Sequence, residues 1–244
     1  MLTTYSYPQK IISQFSGVLN GTPQEFDIAL LGSEQLWEAA TLLTTVQAQL
    51  AKVGQGSLLK TRTVAELQKY YAQNAVFLGA YNKFGLQAIS MVAPVTNFAE
   101  LGRVDTQPNL AELPFNGLSE DVIDLHNPST QQTAKPEDFC VFGAMAINQD
   151  YAQLGIAQKL WPHRLKAALE MEKAFACTTI SATNDKVLKH FINNHWLMDE
   201  SKTIIENGKE ITLHRFIAPQ EVLEKNLTHA KSLKNPQPAM AVYA

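Results

Sequence analysis

The stretch Phe139-Cys140-Val141-Phe142-Gly143-Ala144-Met145-Ala146-Ile147-Asn148-Gln149-Asp150-Tyr151-Ala152-Gln153-Leu154-Gly155-Ile156-Ala157 decides how this chain is read. Its first nine residues are almost continuously apolar, the pattern of a strand buried on both faces. A polar segment follows, and then a new period begins. Ile156, Ala157, Leu160, Trp161, Leu165, Ala168 and Leu169 fall on one side of a helix that starts near Gly155. Pro162 lies inside that helix and is expected to kink it. A strand that turns into a helix leaves the first backbone N–H groups of the helix without partners, and the helix dipole adds partial positive charge there. Such a turn suits a pyrophosphate. Gly155 removes a side chain where that group must approach, and Ala157 keeps the next turn small. A lone glycine also serves ordinary chain reversal, so the flanking segments must decide between the two uses.

Upstream, residues 1–25 read as a polar, irregular N-terminal extension ending in Gly21-Thr22-Pro23. A strand is expected over 26–31. Ser33 is placed to cap a helix with Leu36, Ala40, Leu43 and Leu50 on one face. Gly54-Gln55-Gly56 ends it. Thr63-Val64-Ala65-Glu66 has capping-box spacing, so a second helix should run to about Ala72. Apolar runs over 75–81 and 86–95 flank turn residues and predict an antiparallel hairpin. Residues 96–136 carry Pro108, Pro114, Pro128 and Pro136 with little periodicity, apart from a short helix expected over 119–125. An insertion of that length is either a surface cover or a substrate lid. It leads directly into the strand at 139, so its end is expected to border any cleft there.

Downstream, a strand is expected over 175–181 and a short helix marked by Val187, Leu188, Phe191 and Ile192. Asn207-Gly208 should turn a hairpin between 203–206 and 209–216. A helix over 219–233 and a tail close the chain. The order is β-α-α-β-β-β-α-β-α-β-β.

Composition narrows the function. With 244 residues, 45% of them apolar and 18% charged, the chain is an ordinary globular protein. A net charge of −3 with scattered lysines excludes a basic nucleic-acid surface. Cys140 and Cys177 each lie in an apolar run and read as free thiols. No Cys-x-x-Cys pair and no ligand spacing among the six histidines points to a metal. The first fifteen residues lack a signal-peptide core and no run is long enough to span a bilayer. A cytoplasmic protein is expected, with its oligomeric state open.

The segment 152–157 resembles motif A of the GNAT acyltransferases, whose phosphate loop reads Arg/Gln-x-x-Gly-x-Gly/Ala. Gly155 and Ala157 match it. Ala152 departs, standing where Arg or Gln is usual, although Gln153 is adjacent. Downstream, Ser181-Ala182-Thr183-Asn184, then Phe191, then His195-Trp196, is similar to the family's Asn…Tyr…Gly-Phe segment. The resemblance covers 26–217 in element order and 139–197 at motif level. It implies an α/β fold with a mixed, mostly antiparallel central sheet flanked by helices on both faces. The GNAT-like domain would span 26–217, with the insertion at 96–136 and a C-terminal helix and tail at 218–244. A further similarity, to the N-acyl amino acid synthase and autoinducer-synthase branch, lies in Glu112-Leu113-Pro114 followed by a short helix. That branch's strand glutamate would fall near Val141 and is missing.

The resemblance implies acyl-coenzyme A as co-substrate and no metal. The central strands would splay, and the backbone at Met145, Ala146 and Ile147 would pair with the pantetheine amides. Ala152, Gln153, Leu154, Gly155, Ile156 and Ala157 would hold the pyrophosphate. Asn184 would contact the pantetheine arm or the acceptor region, or act as a helix N-cap. Phe191 stands where a tyrosine often protonates the leaving thiolate. An acceptor amine, on a small molecule or a protein, would attack the thioester directly. Its base is sought among Glu137, Asp138, His190 and His195, and the expected catalytic set is Asn184, Glu137 and His195. Cys140 is either a nucleophile or an inert core thiol. Three readings compete: an acetyl-coenzyme A N-acetyltransferase, an N-acyl synthase drawing a longer acyl donor from a carrier protein, and a non-catalytic acyl-coenzyme A-binding protein.

Overall fold

The computed structural model describes residues 10–53, 55, 59–101, 104, 106–108, 110, 134–206 and 208–232. Within them, eight strands form one sheet in the order β1-β2-β3-β4-β5-β6-β8-β7. The strands are β1 (Lys10–Leu19), β2 (Thr22–Leu30), β3 (Val76–Asn82), β4 (Gly85–Pro94), β5 (Phe139–Ile147), β6 (Phe175–Ser181), β7 (Leu197–Glu206) and β8 (Lys209–Pro219). Every neighbouring pair is antiparallel except β5 and β6. The apolar strand at 139–147 is interior, as its composition demands.

The helices are α1 (Leu36–Lys52), α2 (Val64–Ala72), α3 (Ile156–Leu169), α4 (Asp185–Asn193) and α5 (Gln220–Ser232). They cover both faces. Leu36, Leu43 and Val46 of α1 and Leu67 of α2 pack with Val141, Ala146 and Cys177 on one face. Trp161, Leu165 and Ala168 of α3, Phe191 of α4 and Leu223 of α5 pack with Phe142, Ala176 and Phe216 on the other. Among the described residues, no helix is long and apolar enough to cross a membrane.

Residues 10–25 correct the expectation of an irregular extension. They form β1 and the start of β2, joined by Asn20 at φ 49 and Gly21 at φ 77. Asn-Gly is the strongest two-residue hairpin signal, because both residues tolerate positive φ. Ser33 does not cap α1. A 3-10 turn over Ser33–Gln35 precedes the helix, and the Gln35 side chain accepts from the Gly32 N–H at 2.7 Å. The capping box of α2 forms as read: the Thr63 N–H donates to the Glu66 carboxylate at 2.7 Å, and the Glu66 N–H donates to Thr63 Oγ1 at 3.2 Å. α3 runs without a break through Pro162.

The insertion also differs from expectation where it is described. Leu101, Val104 and Leu110 are buried, and the Leu101 carbonyl accepts from Thr179 Oγ1 of β6 at 2.9 Å. Arg215 of β8, fully buried, ties the segment down. It donates to the carbonyls of Val104 and Thr106 and to the carboxylates of Asp199 and Glu200. Thr106 Oγ1 also donates to Glu200. Glu112-Leu113-Pro114 and the expected helix over 119–125 lie outside the described residues.

Candidate functional site

The parallel pair β5–β6 is short. Phe139, Cys140 and Val141 lie opposite Phe175, Ala176 and Cys177, and the pairing then stops, although both strands continue. Thr178 Oγ1 donating to the Phe142 carbonyl at 3.0 Å is the last link. Beyond it, β5 stays with β4 as far as Ile147 and β6 stays with β8 as far as Ser181. A gap therefore opens between two halves of the sheet, towards the C-terminal ends of β5 and β6. Every second backbone N–H and C=O on the gap side of β5 has no strand partner, because those groups alternate between the two edges of a strand.

A bulge steers β5 away from β6. Ser90 faces Met145 and Val92 faces Phe142, so Gly143 and Ala144 together oppose Met91. Gly143 leaves room there for the Met91 side chain, whose Cε would lie 2.3 Å from a Cβ at 143 and would have to swing aside. The bulge also sets the faces: Phe142, Met145 and Ile147 turn towards α3, while Val141 and Ala146 turn towards α1.

The turn from β5 to α3 sits at the open end and is tied to its neighbours by side-chain amides. Asn148 Nδ2 donates to Gln87 Oε1 of β4 at 2.9 Å, and the Asn148 N–H donates to the Gln87 carbonyl at 2.8 Å. Gln49 of α1 donates to Asn148 Oδ1 at 3.3 Å and accepts from the Gln149 N–H at 3.3 Å. A 3-10 turn over Gln149–Leu154 leads to Gly155 at φ 71, a left-handed conformation that favours glycine. The first intrahelical bond runs from the Lys159 N–H to the Gly155 carbonyl at 3.1 Å. The N–H groups of Gly155, Ile156, Ala157 and Gln158 thus precede the helical ladder. The first turn of α3 carries no acidic residue, so nothing there opposes an anion.

The expected phosphate loop is brought together here. Ala152 and Gln153 are exposed, and Gly155 and Ala157 are half-buried. Leu154 and Ile156 contribute backbone only, for their side chains pack with Phe26, Ala88 and Leu160. Met145, Ala146 and Ile147 line β5 along the gap. Asn184 sits at the N-cap position of α4, but its side chain makes no cap hydrogen bond. The capping half of its reading is therefore corrected.

The other catalytic candidates lie elsewhere. Glu137 and Asp138 occupy the turn before Phe139, at the closed end of the strand pair. Six residues of strand, about 20 Å at 3.3 Å each, separate Phe139 from Met145. His195 is exposed at φ 60, just past α4, with its N–H donating to the Ile192 carbonyl at 3.0 Å. The nine residues of α4, about 13 Å of helix, lie between it and Asn184. The Gly-Phe counterpart at His195-Trp196 is thus a helix terminus followed by a core aromatic. Phe191 does not face the gap as a ligand contact. It is buried edge-on against Trp161 and Trp196, with ring centroids 5.5 and 4.8 Å away. His190 packs against Trp161 at 4.5 Å, and burial, with Arg164 nearby, pushes its pKa down. Burial lifts the Cys140 thiol to about 12, which makes it an inert core thiol. No group of three or more His, Cys, Asp or Glu among the described residues could hold a metal.

Sequence reading missed the amide ties of Gln49, Gln87 and Asn148, which connect distant segments and have no local signature. It also missed Arg164, a charge in the apolar stripe of α3 between Trp161 and Leu165, which its spacing did reveal.

No protein-family model matches the sequence, and no curated relative does. The fold does have counterparts among solved structures. A proposed acetyltransferase from Acinetobacter baylyi ADP1 superposes with a TM-score of 0.54 at 14% identity, covering 80% of this chain and 92% of its own. A proposed acetyltransferase from Salmonella typhimurium, solved with its cofactor acetyl-CoA, gives 0.53 at 8% identity over 80% and 94%. An acetyltransferase of the GNAT family from Streptococcus pneumoniae gives 0.52 at 11% identity over 80% and 98%. The strand order, the parted parallel pair and these likenesses establish that the chain has the GNAT fold.

Proposed function

We propose that this chain is an N-acyltransferase that moves an acetyl or other acyl group from acyl-coenzyme A to an amine. The observation that carries the reading is the parting of β5 from β6 after Val141 and Cys177, beside the free first turn of α3. A pantetheine arm carries amides that suit the gap-facing backbone groups along the Met145–Ile147 stretch, and its pyrophosphate suits the N–H groups from Gly155 to Gln158. The solved likeness that holds acetyl-CoA supports this choice of co-substrate. Asn184, with its amide free of capping, reaches for the same ligand or for the acceptor.

The acceptor nitrogen attacks the thioester carbonyl. A C–N bond forms, the C–S bond breaks, and coenzyme A leaves as the thiolate. Unpaired strand N–H groups stabilise the oxyanion, and much of the rate comes from holding amine and thioester in register. With Glu137 and His195 away from the gap and phenylalanine at 191, water takes the proton from the amine and protonates the thiolate. The described start of the insertion, bound through the Leu101 carbonyl to Thr179 on the α1 face, walls the acceptor side.

That missing acid and base favour one second reading, a non-catalytic acyl-coenzyme A-binding protein. Calorimetry with coenzyme A and release of free thiol from acetyl-coenzyme A across an amine panel test both. Binding with amine-dependent release supports the enzyme. Binding without release supports the second reading, and absence of binding sinks both.

A further inference from the structure

Three hydrogen-bond donors are buried on the α3 face of the sheet around β5, and among the described residues none has an acceptor for the group in question. Arg164 of α3 is 4% exposed. Its guanidinium lies over the Phe142 ring, 4.6 Å from the centroid, and one Nη contacts Met145 Sδ at 3.3 Å. Its Nε has no hydrogen bond. Ser90 is completely buried and stands opposite Met145 in the β4–β5 ladder, so the two side chains share a face. Its Oγ has no partner. Trp196 is 2% exposed, its ring centroid is 5.0 Å from that of Phe142, and its Nε1 has no partner. Phe142 and Met145 thus link all three orphans.

Such groups are rare, and a buried charge without a counter-charge is rarer still. All three lack the same thing, acceptor oxygens, and a thioether supplies only a poor substitute. The surrounding chain does not provide them. Among the described residues, β4, β5, β6 and α3 contain no aspartate or glutamate, the only acid on α4, Asp185, is exposed in its first turn, and of the acids on α5, which packs on α3, Glu224 accepts from Gln220 and neither it nor Glu221 is hydrogen-bonded to Arg164. The rest of the apolar stripe of α3 is conventional, so the charge at 164 is a single departure in a well-formed core.

We propose that Arg164, Ser90 and Trp196 form a subsite for a carboxylate carried by a reactant that enters the gap. This rests on the acyl-transfer reading and narrows it. A guanidinium fork pairs with a carboxylate through two parallel hydrogen bonds. A reactant without the carboxylate leaves buried donors unpaired, which is how a polar site discriminates strongly. The carboxylate belongs either to the acyl group, as in a dicarboxylic thioester, or to the acceptor, as in an α-amino acid.

Calorimetry on the full chain separates the sources. Coenzyme A, acetyl-coenzyme A and succinyl-coenzyme A are titrated first. Alanine and alaninamide are then titrated with acetyl-coenzyme A present. Charged hydrogen bonds of this kind correspond to about tenfold to a hundredfold in affinity. A preference of that size for succinyl- over acetyl-coenzyme A, lost in Arg164→Met, supports the subsite and assigns it to the acyl group. The same preference for alanine over alaninamide, lost in the variant, supports it and assigns it to the acceptor. Equal affinities in both comparisons overturn the subsite, as does a preference that survives in Arg164→Met. Coenzyme A binding without any carboxylate effect overturns the subsite alone, and absence of coenzyme A binding overturns the parent reading. Arg164→Lys, which keeps the charge and loses the fork, serves if the methionine variant does not fold.

Discussion

Gly155 allows the phosphate role of the α3 terminus to be separated from its conformational role. The residue sits at φ 71, and a Cβ there would meet only Gln158 Oε1, at 3.4 Å. Substitution is therefore strained by backbone conformation and hardly at all by crowding. For Ala the left-handed region costs about 1–2 kcal/mol, which lowers the melting temperature by roughly 2–4 °C per kcal/mol in a chain of this size. Asn and Asp tolerate the conformation better and have nearly the same shape. The comparison of Gly155→Asn with Gly155→Asp thus isolates charge. A carboxylate about 5 Å from a phosphate group is repelled by about 3 kcal/mol per unit charge at an effective dielectric near 20. Both variants should melt within about 2 °C of each other. Calorimetry should find coenzyme A binding retained in Gly155→Asn and weakened at least about a hundredfold in Gly155→Asp. If the two bind coenzyme A alike, no phosphate lies at this turn and the reasoning fails.

Three further outcomes are expected. Arg164→Met should stabilise the ligand-free protein by about 1–4 kcal/mol in urea, because it replaces an uncompensated buried charge with an apolar side chain. Burial holds the Arg164 guanidinium at about 9, against an ordinary value of 12.5. Arg215→Met should lose about 3–5 kcal/mol by stranding the buried Asp199 carboxylate, and limited proteolysis should then cut near 104–106, where Arg215 holds the backbone. Cys140 and Cys177, both buried with thiols pushed upward by burial, should resist a thiol reagent at pH 8 in the folded protein and react only on unfolding.

The fold was legible where one physical signal dominated. The apolar run of β5 forced an interior strand, and the switch to helical spacing at Gly155 located the turn into α3. The Thr63 box and the Asn-Gly at 207–208 placed α2 and the last hairpin. An equally strong Asn-Gly at 20–21 went unread because β1 faces solvent and buries little, so its alternation is faint beside its polar residues. The amide ties of the turn could not be read, since Gln49, Gln87 and Asn148 meet only once the sheet has formed. Family spacing misled at His195 and Phe191, where it follows the shape of α4 and its terminus rather than chemistry. Glu137 was near the strand in sequence, but at its wrong end.

The three-rung seam between β5 and β6 has a consequence for what can enter. Where a sheet ends, its bare edge usually faces outward and invites any passing strand to add itself. Here two bare edges face each other inside the molecule, with helices above and below. A polypeptide strand would bring side chains on both of its faces into layers already filled by Trp161 and Leu43. A slender chain with amides and few side groups demands less of those layers. The opening thus keeps the hydrogen-bonding appetite of a sheet edge, and a guest that filled it would act as a partial ninth strand, stiffening two half-sheets that, among the described residues, share only their base.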